Sequence, residues 1–419
     1  MTAHAQAAGR ARRWPGGASA ALVLSLAVAA ADVRAELWSI ENTLGSRYEW
    51  NDNINLSLTS PGAVNSLYLS TSLSAARLTE NSGTRLIAAV TSVRQRGPGA
   101  QDRFDGQFAL SQTYNDPLNT FSGSLSYVKD FNNAVRTADV ALGYGQRRTT
   151  SISASWVRAL SERLNANAQL SVSGSAYGQG IPGASDFRYP TLSAGTSYLL
   201  SDRDTLTLQG SRSNYRPSQG TDRASSESLS LGLSRVISER SNASLSFGPY
   251  RTDTSLQGDR LACPLSPVYC RTGLVPYTVV SETVRVVGHG VQYTAGLAYQ
   301  VAEVTGLSFG ASSQQTPSGV GRVLRTDTLN MAVNHAFSET MSGSIAYARS
   351  SATSLAGTEG RSVQQSFSGS LSKRLAPDLN LAAGYQLNRL GRNDVNATVR
   401  SNSVSLTLAY EWPKASAFH

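Results

Sequence analysis

The sequence is poor in the residues that carry chemistry. Its 419 residues include two cysteines and four histidines, and no Walker loop, His-Glu-x-x-His or Cys-x-x-Cys motif occurs. His4 lies in the N-terminal segment, His419 is the last residue and His335 falls at a strand end. That leaves His289, within Gly288-His289-Gly290, for acid–base work. A hydrolase centre would also need a carboxylate partner such as Glu282, and serines are too abundant for nearness to mean anything. The bland reading of His289, as a loop or strand-end residue, is preferred, and no enzyme is expected. Neither a cofactor nor a metal is called for, because zinc needs more ligands than surround Cys263 and Cys270. Long apolar runs are missing too. Beyond residue 31 nothing is apolar enough to span as a helix, and the mean hydropathy is −0.22.

One apolar run does exist, from Ala20 to Ala31, preceded by Arg10, Arg12 and Arg13 and followed by Val33-Arg34-Ala35. It is shorter than the roughly 18 residues of a membrane-spanning helix, and it has the order of an export signal. Residues 1–35 are therefore expected to be removed, with cleavage after Ala35, leaving 36–419 as one domain. The formal charge of +9 drops to +6 once the four signal arginines and Asp32 are gone. Only Lys129, Lys373 and Lys414 are lysines, so the excess is carried by arginine. In an exported chain, Cys263 and Cys270 within one loop are expected to form a local disulfide.

What is abundant is alternation. In Ser403–Trp412, Val404, Leu406, Leu408, Tyr410 and Trp412 alternate with Ser403, Ser405, Thr407, Ala409 and Glu411. A period of two is a strand with one apolar and one wet face. Its length suits a tilted strand crossing a bilayer, which takes roughly 9–11 residues. Elsewhere Ala166, Ala168, Leu170 and Val172 oppose Asn165, Asn167, Gln169 and Ser171. Leu329, Met331 and Val333 oppose Thr328, Asn330 and Asn334, and Leu381 to Leu387 oppose Asn380 and Gln386. These polar sets are the expected lumen lining. A barrel hides its hydrophobicity in this way, since only alternate residues face lipid.

A turn recurs eight times, at Leu78, Tyr114, Leu160, Leu200, Ile237, Val301, Phe337 and Leu375. Each begins on a large residue and carries an acid: Glu80, Asp116, Glu162, Asp202, Glu239, Glu303, Glu339 and Asp378. Most spacings are 36 to 46 residues, room for two spanning strands and a longer loop. One, from Ile237 to Val301, is 64. Short turns at one end and long loops at the other define a transmembrane barrel. The expected fold is an all-β, antiparallel up-and-down barrel of about eighteen strands. Sixteen to twenty stay open because 135–147 and 274–286 are also strand-like. Residues 253–283 are expected as a long extracellular loop, and its inward folding would constrict the pore.

Two residues before the large turn residue stand Arg158, Tyr198, Arg235, Tyr299, His335 and Lys373. With Tyr410 and Trp412 they are expected to form the girdle where headgroups meet water. Arginines gather at the other strand ends and loops, at 94, 96, 103, 136, 147, 148, 216, 223, 251, 260, 271, 322, 325, 361, 392 and 400. The expected barrel is basic at one rim and acidic at the other. Such arginines serve either anionic lipid or a field that draws anions to the mouth.

The opening of the mature chain, Glu41-Asn42-Thr43 and then Tyr48-Glu49-Trp50-Asn51-Asp52-Asn53-Ile54, resembles that of a family of outer-membrane β-barrel porins found in exopolysaccharide-export and exosortase-type loci. The turns Ser161-Glu162-Arg163 and Ser238-Glu239-Arg240 resemble that family as well. The resemblance implies a pore-like protein of a Gram-negative outer membrane that serves export of a polar polymer such as exopolysaccharide, with no catalytic motif. Outer-membrane lipids, the barrel-assembly machinery and polysaccharide-export components are then the expected partners, and nucleic acid is not. A general diffusion porin, a non-conducting structural or adhesion barrel and an outer-membrane enzyme are the alternatives. Many barrels end on an aromatic residue, whereas here Pro413 to His419 follow Trp412.

Overall fold

The computed structural model describes residues 37–132, 145–178, 184–218, 223–264, 276, 278–319, 322–354, 361–392, 397–412 and 415–418. The expected signal (1–35), Cys270, Arg136 and Arg271 lie outside these residues.

The strands in chain order are β1 (Leu37–Asn51), β2 (Val64–Leu78), β3 (Ser82–Arg96), β4 (Arg103–Asn115), β5 (Asn119–Asn132) and β6 (Gly145–Ala159). Next come β7 (Leu164–Tyr177), β8 (Phe187–Ser201), β9 (Asp204–Pro217), β10 (Arg223–Ser238), β11 (Ser241–Ala262) and β12 (Thr278–Ala302). The last are β13 (Thr305–Pro317), β14 (Val323–Ser338), β15 (Met341–Ser354), β16 (Ser362–Ala376), β17 (Leu379–Arg392) and β18 (Ala397–Glu411), with a short β19 (Ala415–Phe418). From β1 to β18 each pairs antiparallel with the next, and β1 also pairs with β18, so eighteen strands close into an antiparallel barrel.

All eight short turns lie at one end of this barrel. At five of them the register shifts by one residue, and the residue left unpaired is Leu200, Ile237, Val301, Phe337 or Leu375. The large residue of the repeat is therefore a β-bulge, which re-aims a side chain at a strand end. All five side chains stand exposed. Where a serine follows the large residue, it supplies the turn chemistry. Ser161 Oγ accepts from the N–H groups of Arg163 and Leu164, and Ser201 Oγ from those of Arg203 and Asp204. Ser238 and Ser338 each accept one such bond. A side-chain oxygen taking the free amides of a tight turn is why Ser and Asp recur here.

The seam between β1 and β18 is fastened by the Trp50–Ile54 motif. The Asp52 carboxylate accepts from the N–H of Asn402 at 2.7 Å and from its Nδ2 at 2.6 Å, while Asp52 N–H donates to Asn402 O at 3.1 Å. Ser401 Oγ donates to Asn51 Oδ1 at 3.0 Å, and Asn53 Nδ2 to Arg400 O at 3.1 Å. A short polar run thus ties the first strand to the last. Below it, β19 pairs with Leu37–Ile40, the part of β1 that β18 does not reach. Residues 415–418 therefore extend the seam. Asp52→Ala removes two charge-assisted bonds and should cost about 1.5–3 kcal/mol. Urea unfolding in lipid vesicles measures this, and a loss below about 0.5 kcal/mol would show that the seam is held elsewhere.

One boundary differs from expectation. Of residues 253–283, 253–262 and 278–283 are strand, since β11 and β12 stay in register from Ser241–Tyr299 out to Ala262–Thr278. Strands of 22 and 25 residues exceed what a core about 30 Å thick requires, so this hairpin projects beyond it. The β-branched residues Val279, Val280, Thr283, Val284, Val286 and Val287 favour that extension. Of the strand-like segment 274–286, residues 278–286 are the start of β12, and of 135–147 only 145–147 are described, as the start of β6.

Candidate functional site

Two faces result from closure, and contacts between distant strands show which is inside. Tyr215 on β9 donates its hydroxyl to Ser318 O, just after β13, at 2.8 Å. Three strands separate β9 from β13 in the wall, so the two meet through the interior. Tyr215 shares its face of β9 with Gln209, and the opposite face carries Leu208, 47 % exposed. Leucines such as Leu208, Leu231 and Leu408 thus point out, and Ser, Thr, Asn and Gln point in.

The inner face carries the expected polar residues. Asn165, Asn167, Gln169 and Ser171 lie opposite Leu170 and Val172; Asn330 and Asn334 lie opposite Met331 and Val333; Asn380 and Gln386 lie opposite Tyr385. Thr328 bonds Ser312 at 2.7 Å. Hydroxyls pair across strands around the wall: Ser124 with Ser153, Ser211 with Ser228, Ser342 with Ser372 and Ser344 with Ser370, all at 2.7 to 2.8 Å. Each hydroxyl keeps lone pairs to offer a passing solute.

The expected girdle residues are all on the outer face near the short turns. Tyr198 and Tyr299 are exposed, and Tyr410 and Trp412 meet edge to face at 5.6 Å. His335 Nδ1 bonds Thr305 Oγ1 at 2.7 Å, and its ring meets Phe337 at 4.7 Å. Arg235 approaches Asp204 at 3.6 Å, while Arg158 and Lys373 are exposed.

At the opposite end the mouth is narrowed from two sides. The end of the β13–β14 hairpin slips behind the wall and lies against the inner face of β8–β11. Tyr215 reaches Ser318 O, Gln315 Nε2 donates to Thr252 Oγ1 at 2.7 Å, and Ser185 N–H donates to Gly319 O at 2.7 Å. Phe187, Tyr215, Ala224 and Val323 pack together there, with the Phe187 and Tyr215 rings 5.4 Å apart. Across the mouth the β1–β2 connection tucks Leu56 onto Leu390 and Val399. Among the described residues these two elements turn inward; residues 265–275 of the cysteine loop lie outside them. Cys263 is disulfide-bonded. Tyr215, Gln315 and Val323 were not singled out in the sequence, where they read as ordinary strand residues.

Charge at the mouth is balanced more closely than an arginine count implies. On the inner face Arg103 pairs with Asp105 at 3.2 Å, and Arg147 grips Asp130 through two bonds, the shorter at 2.7 Å. Arg325 meets Asp327 at 3.1 Å. In the β3–β4 connection Arg94 pairs with Asp102 at 2.8 Å. The Gln95 N–H and that guanidinium hold the Asp102 carboxyl below its ordinary 3.8. His289 sits on the outer face of β12 opposite Arg251. Glu282 is seven positions away on the other face, about 23 Å along the strand, so no histidine–carboxylate pair forms. Among the described residues no group of three or more His, Cys, Asp or Glu could hold a metal ion.

A closed antiparallel barrel with an apolar outside, a polar inside, short turns at one end and longer connections at the other is a transmembrane β-barrel of the outer membrane. No family model and no curated protein matches the chain. Among solved structures it is similar to Pseudomonas aeruginosa OccK2 (OpdF), at 10% identity over 89% of this chain and 97% of that one, with a TM-score of 0.47. It is also similar to Acinetobacter baumannii OccAB3, at 11% identity over 90% and 99%, TM-score 0.44. The ferric-catecholate import receptor Fiu of E. coli K12 follows at 9% identity over 91% and 82%, TM-score 0.46.

Proposed function

We propose that the protein is a passive outer-membrane channel for small polar solutes rich in hydroxyl groups. The reading is carried by the lumen wall, where cross-strand hydroxyl pairs and carboxamides line a barrel of a size that encloses water. Hydroxyls and carboxamides exchange hydrogen bonds with water or a sugar at little net cost. The inner guanidinium–carboxylate pairs leave no large excess of one charge on that wall. The inward β13–β14 end sets an upper limit on solute size. Removal of residues 1–35 on export and contact with lipids and the barrel-assembly machinery belong to this reading.

A planar bilayer tests it. Purified protein should give stable, ohmic single-channel steps with weak ion selectivity. Correctly folded, heat-modifiable protein that does not conduct would leave a structural or adhesion barrel and overturn the channel. A second reading, export of an exopolysaccharide through contact with export components, is supported by the likeness of the Tyr48–Ile54 opening to that family's. Under it an anionic polysaccharide blocks the current from one side, and no block from either side removes it.

A further inference from the structure

High on the outer wall of β8–β12 the apolar alternation gives way to arginine. On β9 the outward series runs from Leu208 up to Arg212, Asn214 and Arg216. On β10 it runs from Leu229 up to Glu227, Ser225 and Arg223. The register aligns these residues in rows. Arg188 lies directly opposite Arg216, and Arg223 occupies the position next beyond the Ala224–Tyr215 pair, beside Arg216. The row continues through Ser255, opposite Arg223, to Arg285, opposite Ser255. Four arginines therefore share one row of five strands, about 4.8 Å apart from strand to strand. Two rows nearer the membrane centre, Arg212, Glu227, Arg251 and His289 stand side by side.

Like charges directly opposite one another in a sheet destabilise it. Two acids stand among these charges: Asp253 grips Arg285, and Glu227 approaches Arg212 at 3.6 Å. Arg216 and Arg223 have no carboxylate partner among the described residues, and both are exposed. These side chains border a polar cavity of about 810 Å³. Directly below it the same face is Leu192, Leu208, Leu231 and Phe247, 41 to 57 % exposed. A guanidinium fork matches phosphate oxygens bidentately, and an apolar wall matches acyl chains.

We propose that this face of β8–β12 binds a membrane lipid whose headgroup carries phosphate. The phosphate lies between Arg216 and Arg223, and the acyl chains run down over Leu208 and Leu231. The site rests on the transmembrane reading of the barrel and is independent of what passes through the lumen.

Native mass spectrometry of the detergent-purified full chain tests this with three probes: phosphatidic acid, diacylglycerol and inorganic phosphate. Wild-type protein should retain phosphatidic acid, bind diacylglycerol and inorganic phosphate at least about tenfold more weakly, and lose about tenfold in affinity for phosphatidic acid in Arg216→Ala/Arg223→Ala. Arg389→Ala/Arg400→Ala removes equal charge from an outward pair on β17 and β18 and should leave that affinity unchanged. Equal loss in both variants would reduce the effect to general charge and overturn the site. So would phosphate alone binding as tightly as the lipid, or no loss in the first variant. Both substitutions are exposed, and an unchanged single-channel conductance separates failure of this site from failure of the channel.

Discussion

Replacing residues 316–324 by an Asn-Gly turn raises single-channel conductance roughly two- to fivefold, because it clears the mouth of the segment that lies inside the wall. The segment is held there by identifiable contacts: the Tyr215 hydroxyl on Ser318 O, Gln315 on Thr252, and Val323 packed with Phe187 and Ala224. An Asn-Gly pair suits the two-residue hairpin that would then join β13 to β14, so the wall itself stays intact. Tyr215→Phe, which deletes only the hydroxyl, gives a smaller increase together with more frequent switching between conductance levels. Planar-bilayer recordings of the two variants read both outcomes. Unchanged conductance in the shortened protein would mean that the narrowest passage lies elsewhere.

The second large effect tests the assignment of faces. Leu231 and Ser230 are neighbours halfway along β10. Leu231 points outward at 41 % exposure, and Ser230 points inward, its hydroxyl donating to Gln209 O. Leu231→Arg places a charge against hydrocarbon and should destabilise the barrel by about 2–4 kcal/mol. Ser230→Arg places the same charge in water and should cost under about 1 kcal/mol while shifting the channel toward anions. Urea titration in vesicles and reversal potentials measure the two. Equal destabilisation of both variants would contradict an aqueous lumen.

These experiments also mark the line between local and distant information. The strands and the eight turns were legible because their causes are local. Alternation follows from the two-residue period of a strand, and Ser161, Ser201 and Asp116 take turn amides two or three residues away. The polar set Asn165, Asn167, Gln169 and Ser171 was legible for the same reason. The extent of β11 and β12 was not, because charged and glycine positions mixed into 253–262 obscure a pairing that the partner strand completes.

What the sequence by itself determined is therefore the strand pattern, the turn chemistry and the two chemically distinct faces, each fixed by interactions within a few residues. Only the tertiary structure decided three further things. The Asn51–Asp52–Asn53 run fastens a seam to residues 350 positions away. The β13–β14 end enters the mouth through a contact spanning 103 positions. Four outward arginines of β8 to β12 fall in one row through the register of five strands. Register and closure arise from the whole sheet at once, and no short stretch of sequence encodes them.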